Sequence, residues 1–191
     1  MLSMEETMGK NALNAVLNLA DLGHWVNNYP PSNFDKRVSF NEISALHQGL
    51  EEMYGPRGGR GVALRTGMAA FKYGLQEFGG ALDAGDLAFK LLPLNMKLRE
   101  GAHRLAEAFN KFTDQKVMLT DEPHHFLWKV EGCAACWGRR SETPCCHMAV
   151  GLVQESFYWV SGGNNFEVTE VSCIACGDKT CTIQAEKEPN I

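Results

Sequence analysis

Near its C-terminal end the chain reads VTEVSCIACGDKTC, Val168 to Cys181, so a glutamate and three cysteines fall within a few residues of each other. Those residue types can ligate a metal, pair as disulfides or carry redox chemistry. The whole chain has seven cysteines, an odd number. Its N-terminus, MLSMEETMGKNALNAVLNLADLG, begins with acids and places asparagines inside its apolar run, unlike an export signal. The expected location is therefore the cytoplasm. In a reducing compartment clustered cysteines bind metal or react more often than they staple a fold, which favours a metal over disulfides.

Glu170, Cys173 and Cys181 have the spacing E-x2-C-x7-C. If Glu170 closes one strand and Cys181 opens the next, a short hairpin brings all three together. A closed tetrahedral zinc site needs a fourth ligand. Cys146 suits it, because it falls in the first turn of a helix expected to start at Thr143 and Pro144, where free N–H groups and the helix dipole stabilise a thiolate. Cys145 and His147 flank it, and sequence alone leaves the choice among the three open. Three thiolates and a carboxylate on Zn²⁺ carry a charge of about −2, which the helix N-terminus with Arg139 or Arg140 could offset. Cys133, Cys136, Cys145 and Cys176 remain, enough for an iron–sulfur cluster as an alternative cofactor. The plain reading of Cys133-x2-Cys136 is a pair of small buried residues in a turn. A c-type haem is excluded, since Trp137 and not histidine follows Cys136.

The elements that must position these residues are legible in part. Leu13, Val16, Leu17 and Ala20 make a helical stripe that ends near Gly23. Ser39 and Glu42 form a capping box ahead of Ile43, Leu46, Leu50 and Met53. GPRGGRG lacks both nucleotide-binding spacings and is expected as a turn. A helix follows, with Leu64, Met68, Phe71, Leu75 and Phe78 on one face, closed by Gly79-Gly80; Gly67 and Gly74 on it could let another helix approach closely. A second helical region runs from about Asp86 to Phe112, broken or kinked by Pro93, with Leu98, Ala102, Leu105 and Phe109 facing inward. The texture then changes: His125–Glu131 alternates like a half-buried strand, a helix ends at Gly162-Gly163, and NFEVTEVS and TCTIQAE read as two strands. Helices first and strands later give an α+β class, with a helical layer on one face of a small antiparallel sheet.

The run Cys146, Gly151, Gly162, Glu170, Cys173, Gly177-Asp178 and Cys181 resembles the 4-vinyl reductase-type, or hydrocarbon-binding, domain. The likeness is specific over residues 125–186 and only one of pattern over the helices from Gly55 to Phe112. It implies a TRAPP-subunit-like fold, often dimeric, shared with the sensor domain of phenol-responsive transcription activators. It also implies a structural zinc at Cys146, Glu170, Cys173 and Cys181, beside an apolar pocket for an aromatic effector. The doublet Cys145-Cys146 and the extra pair Cys133 and Cys136 depart from the family pattern. The resemblance divides the chain into an N-terminal helix and connector, residues 1–38, and the hydrocarbon-binding domain, residues 39–191.

The expected function is a zinc-stabilised binding module for a small hydrophobic, aromatic or tetrapyrrole ligand. Phe126, Trp128, Trp137 and Trp159 are the candidate pocket walls, and His103 and His125 the candidate polar anchors. Each has a plainer reading as a core aromatic or a partly buried histidine. Two alternatives stand: a redox protein or reductase acting on a tetrapyrrole-like substrate, and an assembly partner without a ligand. No flavin or nicotinamide motif supports an enzyme. A net charge of −5 and a pI near 5.7 give no electrostatic reason for nucleic acid as a partner. No apolar run is long enough for a membrane span. A homodimer is expected, because the resembled family's fold commonly pairs through its helical layer, and the N-terminal stripe could pack on its own domain or on a second copy.

Overall fold

The computed structural model describes residues 1–33, 35–79, 89 and 91–190 of the chain. Gly80 and Asp86, expected at the end of one helix and the start of the next, lie outside the described residues, as does the side chain of Phe78.

Two short helices, α1 (Leu2–Met8) and α2 (Lys10–Leu19), open the chain. Leu13, Val16 and Leu17 are fully buried against Leu46, Leu50 and Val62. The N-terminal stripe is therefore used within the chain and is not free to meet a second copy. Helix α3 (Phe40–Phe78) starts at the expected capping box: the Glu42 N–H donates to Ser39 Oγ at 3.3 Å, and Glu42 Oε2 accepts from the Ser39 N–H at 2.7 Å. GPRGGRG is not a turn. Only Gly55 leaves helical geometry, at φ 71° and ψ 168°, and Pro56 starts a second limb of the same helix, where its missing N–H costs nothing.

Helix α4 (Leu94–Phe112) is capped by Pro93 and buries Leu98, Ala102 and Ala106. Strands β1 (Lys116–Asp121) and β2 (His125–Glu131) follow, then α5 (His147–Ser161), β3 (Phe166–Ser172) and β4 (Cys181–Pro189). The four strands form one antiparallel sheet in the order β1-β2-β4-β3. The α+β class thus holds. Strand β1 has no strong alternation in its sequence and is an addition to the expected elements.

Phe126 and Trp128 of β2 lie opposite Ala185 and Ile183 of β4 and point into the core beneath α4 and α5. Phe157 of α5 meets Phe126, Trp128 and Phe166 edge-on, at ring separations of 5.5–5.8 Å. On its other side α5 packs against α3. Contact there is backbone to backbone: a Cβ at Gly67 would run into the Met148 carbonyl, and one at Gly151 into the Leu64 carbonyl. Gly67 is thus the close-approach position the sequence suggests, whereas Gly74 faces open space. No helix among the described residues is long and apolar enough to cross a membrane.

Candidate metal centre and ligand cavities

Antiparallel pairing brings the cysteines together. Cys181, the first residue of β4, pairs with Val130 near the end of β2, so the turn that follows β2 carries Cys133 and Cys136 alongside it. Cys173 leaves the end of β3, where a bulge between Glu170 and Ser172 re-aims the strand. Cys146 enters from the start of α5. That helix begins at His147 and not at the expected Thr143. Cys146 takes the cap position instead, because the Glu170 carboxylate reaches across from β3 and accepts its backbone N–H at 2.7 Å. Residues before it are tied elsewhere: the Ser141 N–H donates to the Ala175 carbonyl at 2.9 Å.

All of Cys133, Cys136, Cys145, Cys146, Cys173 and Cys181 are buried. The sulfur of Cys146 lies 3.7 Å from that of Cys181 and 3.9 Å from that of Cys173, and Cys173 lies 3.9 Å from Cys181. A tetrahedral ion with bonds of about 2.3 Å to sulfur sets its ligand sulfurs about 3.8 Å apart, so these spacings fit one. Glu170 Oε1 completes the set: it is buried and has no hydrogen-bond partner among the described residues. A second group of four, Cys133, Cys136, Cys146 and Cys181, lies within the same 4.8 Å span. Cys145 touches Cys173 at 3.9 Å but belongs to neither group. Cys176 is exposed, so the set Cys133, Cys136, Cys145 and Cys176 expected for an iron–sulfur cluster is not gathered.

The cluster's own groups share protons unevenly. Cys133 and Cys173 are held well below the usual thiol range, each chiefly by a sulfhydryl bond from Cys136. Cys146 and Cys181 are pushed up, chiefly as partners of the Cys133 sulfur. Burial raises Glu170 to about 8. The Ile174 N–H donates to the Cys181 sulfur at 3.3 Å, a contact that works against the upward shift there. Arg139 backs the cluster from outside. It meets Glu51 of α3 at 2.5 Å and the Ala135 carbonyl at 3.3 Å.

Apolar cavities flank α5 among the described residues, and two of them concern the site. One, of about 60 Å³, lies between α3, α4 and α5 and is walled by Phe71, Phe89, Leu105 and Trp159. The other, of about 590 Å³, lies between the N-terminal segment and α3, with Met4, Trp25, Leu46, His47, Tyr73 and Met148 in its wall. The larger lies within the roughly 300–1,000 Å³ usual for small-molecule sites. His47 and Ser3 are buried polar groups in its wall. Burial, then the Arg139 charge, lowers the His47 pKa to about 4, so its imidazole is neutral near pH 7.

The structure spreads the expected pocket residues widely. Trp159 borders the small cavity, stacked on Phe89 at 6.4 Å. Trp128 is core and walls neither cavity; its Nε1–H donates to the Ala102 carbonyl at 3.3 Å. Phe126, buried beneath the Lys187 ammonium, walls a further cavity of about 500 Å³ together with Leu98, Asp121 and Lys187. Trp137 stands on the far side, edge-on to Phe40. His103 is exposed, and His125 is half-buried opposite Glu186. Neither histidine lines either cavity. His47 is absent from the residues that sequence singles out; only its place beside Leu46, on an ordinary amphipathic stripe, hints at burial.

No protein-family model matches the chain, and no curated protein matches it by sequence. Solved structures do match. One is the phenol-responsive sensory domain of the transcription activator PoxR with phenol, at 17% identity over 78% of this chain and 74% of that one, with a TM-score of 0.56. Another is an H-NOX protein from S. oneidensis in the Fe(II)NO ligation state, at 12% identity over 98% and 93% of the two chains, TM-score 0.59. A third is a point mutant of the H-NOX protein from K. algicida in its Fe(II) unliganded form, at 14% identity over 98% and 91%, TM-score 0.62. At these identities the chain shares their fold, a mixed α+β arrangement.

Proposed function

We propose that this chain is a ligand-sensing domain in which a zinc ion on Cys146, Glu170, Cys173 and Cys181 pins the start of α5 to the sheet, while the cavity on the other side of that helix takes a small aromatic molecule. The observation that carries this reading is the double duty of α5. Its cap residue Cys146 belongs to the cysteine cluster, and Met148, two residues on, walls the 590 Å³ cavity. A ligand pressing on Met148 would bear on the metal end of the same helix. The shared fold with a phenol-responsive sensory domain supports the ligand class.

Zinc suits the donor set. Thiolates with one carboxylate are borderline-soft ligands, and zinc imposes no geometry beyond the tetrahedron these spacings offer. When bound, the ion replaces the cluster's shared protons and stabilises the fold, because metal binding is part of the folding free energy. His47 would orient the ligand. A neutral imidazole can exchange a hydrogen bond with a phenolic hydroxyl, whereas a charged ligand would pay several kcal/mol for burial without a partner. Trp25 lines the cavity and reports on its contents.

The test is zinc content and ligand binding measured on one preparation. Protein purified without oxygen should carry zinc, and Cys173→Ser should lose one equivalent. Phenol, a fatty acid and a porphyrin are then titrated while tryptophan fluorescence is followed. Phenol should bind more tightly than about 1 mM, roughly −4 kcal/mol, with the response lost in Trp25→Phe and weakened in His47→Leu. Zinc-loaded protein that binds none of the three would point to an assembly partner and reject the sensor reading. Binding of porphyrin alone would move the ligand class to tetrapyrroles.

A further inference from the structure

One zinc ion at the Glu170 site leaves Cys133 and Cys136 unexplained. Both thiols are buried, and both point at sulfurs that the ion already uses. Cys133 lies 3.5 Å from Cys146, and Cys136 lies 3.4 Å from Cys181. These contacts are shorter than the 3.9 Å that separates Cys173 from either shared sulfur. Cys146 and Cys181 therefore stand between two half-sites, one made of Cys133 and Cys136, the other of Cys173 and Glu170. Each half-site supplies two ligands, and the shared pair supplies two more to both.

We infer that the cluster holds two divalent thiophilic ions, bridged by the sulfurs of Cys146 and Cys181. A thiolate has more than one lone pair and can bind two metals at once, as a neutral imidazole nitrogen cannot. Charge also favours two ions over one. With all six ligands ionised, five thiolates and one carboxylate carry −6, which one divalent ion reduces to −4 and two reduce to −2. The N-terminus of α5 and Arg139 lie against the remainder. A sulfide-containing cluster fits less well, because its inorganic core sets the cysteines of different irons well apart, whereas the ligand atoms of each group here lie within 4.8 Å of one another. Each ion enters by displacing thiol and carboxyl protons to solvent, with no change of oxidation state.

This inference rests on the metal reading above, and zinc stoichiometry separates the two. Reduced, metal-free protein is titrated with Zn²⁺, and bound zinc per chain is measured after desalting, with circular dichroism to confirm folding. Two zinc ions per wild-type chain are expected. Cys133→Ser/Cys136→Ser should keep one, as should Glu170→Gln/Cys173→Ser, each losing half the metal. X-ray absorption of wild-type protein should show a zinc–zinc path that both double variants lack. One zinc per wild-type chain overturns the bridged pair and leaves the single site standing. Two zinc ions retained by Cys133→Ser/Cys136→Ser also overturn it. Folded wild-type protein with no zinc rejects both readings. The wild-type count and absorption spectrum decide the matter even where a variant fails to fold.

Discussion

His47 shows what a single buried side chain does to the pH response. Its imidazole titrates near 6.5 when the chain is unfolded but only at about 4 when folded, mainly because burial disfavours the charged form. The unfolded state therefore binds the proton first as pH falls. Stability is whole above about pH 6.5 and declines as pH drops toward 4. Between pH 7 and 4.5 the loss from this residue should be roughly 2–3 kcal/mol. Urea denaturation at the two pH values should show that difference in wild type, over and above the loss in His47→Gln. Equal losses in both proteins would mean that His47 is not neutral in its cavity. The sequence hides this residue, because a histidine beside an amphipathic stripe looks the same whether it faces water or a cavity.

The contact between α3 and α5 rests on two glycines, and it makes a paired prediction at the scale of the element. Gly151→Ala sets a methyl against the Leu64 carbonyl, which is backbone and cannot swing aside. Overpacking of this kind costs about 1–3 kcal/mol, or a fall in Tm of roughly 2–12 °C for a chain of this size. Gly74→Ala lies on the same contact's partner helix, α3, in open space, and it should be neutral or stabilise by up to about 1 kcal/mol. Thermal unfolding of the two variants should move in opposite directions or leave Gly74→Ala unchanged. At this scale sequence is a good guide wherever a local rule governs. The Ser39 capping box, the alternation in β2 and the hairpin around Cys173 depend on neighbours in the chain. It fails where a distant group decides. GPRGGRG reads as a turn by propensity, yet packing keeps it helical apart from Gly55. Likewise the start of α5 is set by Glu170, a residue of another element. The four expected ligands Cys146, Glu170, Cys173 and Cys181 do fall into one group that could hold a metal, but the place of Cys146 and Cys181 in a second group with Cys133 and Cys136 is a matter of strand pairing that spacing does not reveal.

On the scale of the whole molecule, the first 38 residues supply the buried Met4, Leu13, Val16, Leu17 and Trp25 to a core shared with Leu46, Leu50 and Val62. Removing them would expose that apolar surface and open the larger cavity to water. Residues 39–191 expressed alone should therefore be insoluble or loosely packed, with exposed surface that binds a hydrophobic dye. A soluble, cooperative fragment with the wild-type near-ultraviolet spectrum would mean that the N-terminal segment is an accessory. The interlocked backbones of α3 and α5 also have a meaning in time. Synthesis runs from the N-terminal side, so the groove around Gly67 is complete about 80 residues before Gly151 emerges to fill it. At roughly 5–20 residues per second that gap is about 4–16 s, during which nascent α3 presents an uncovered apolar surface to water or to a holding chaperone. Glu170, Cys173 and Cys181 arrive later still, so the cysteine cluster is assembled last and closes a fold whose longest helix has been waiting for its partner.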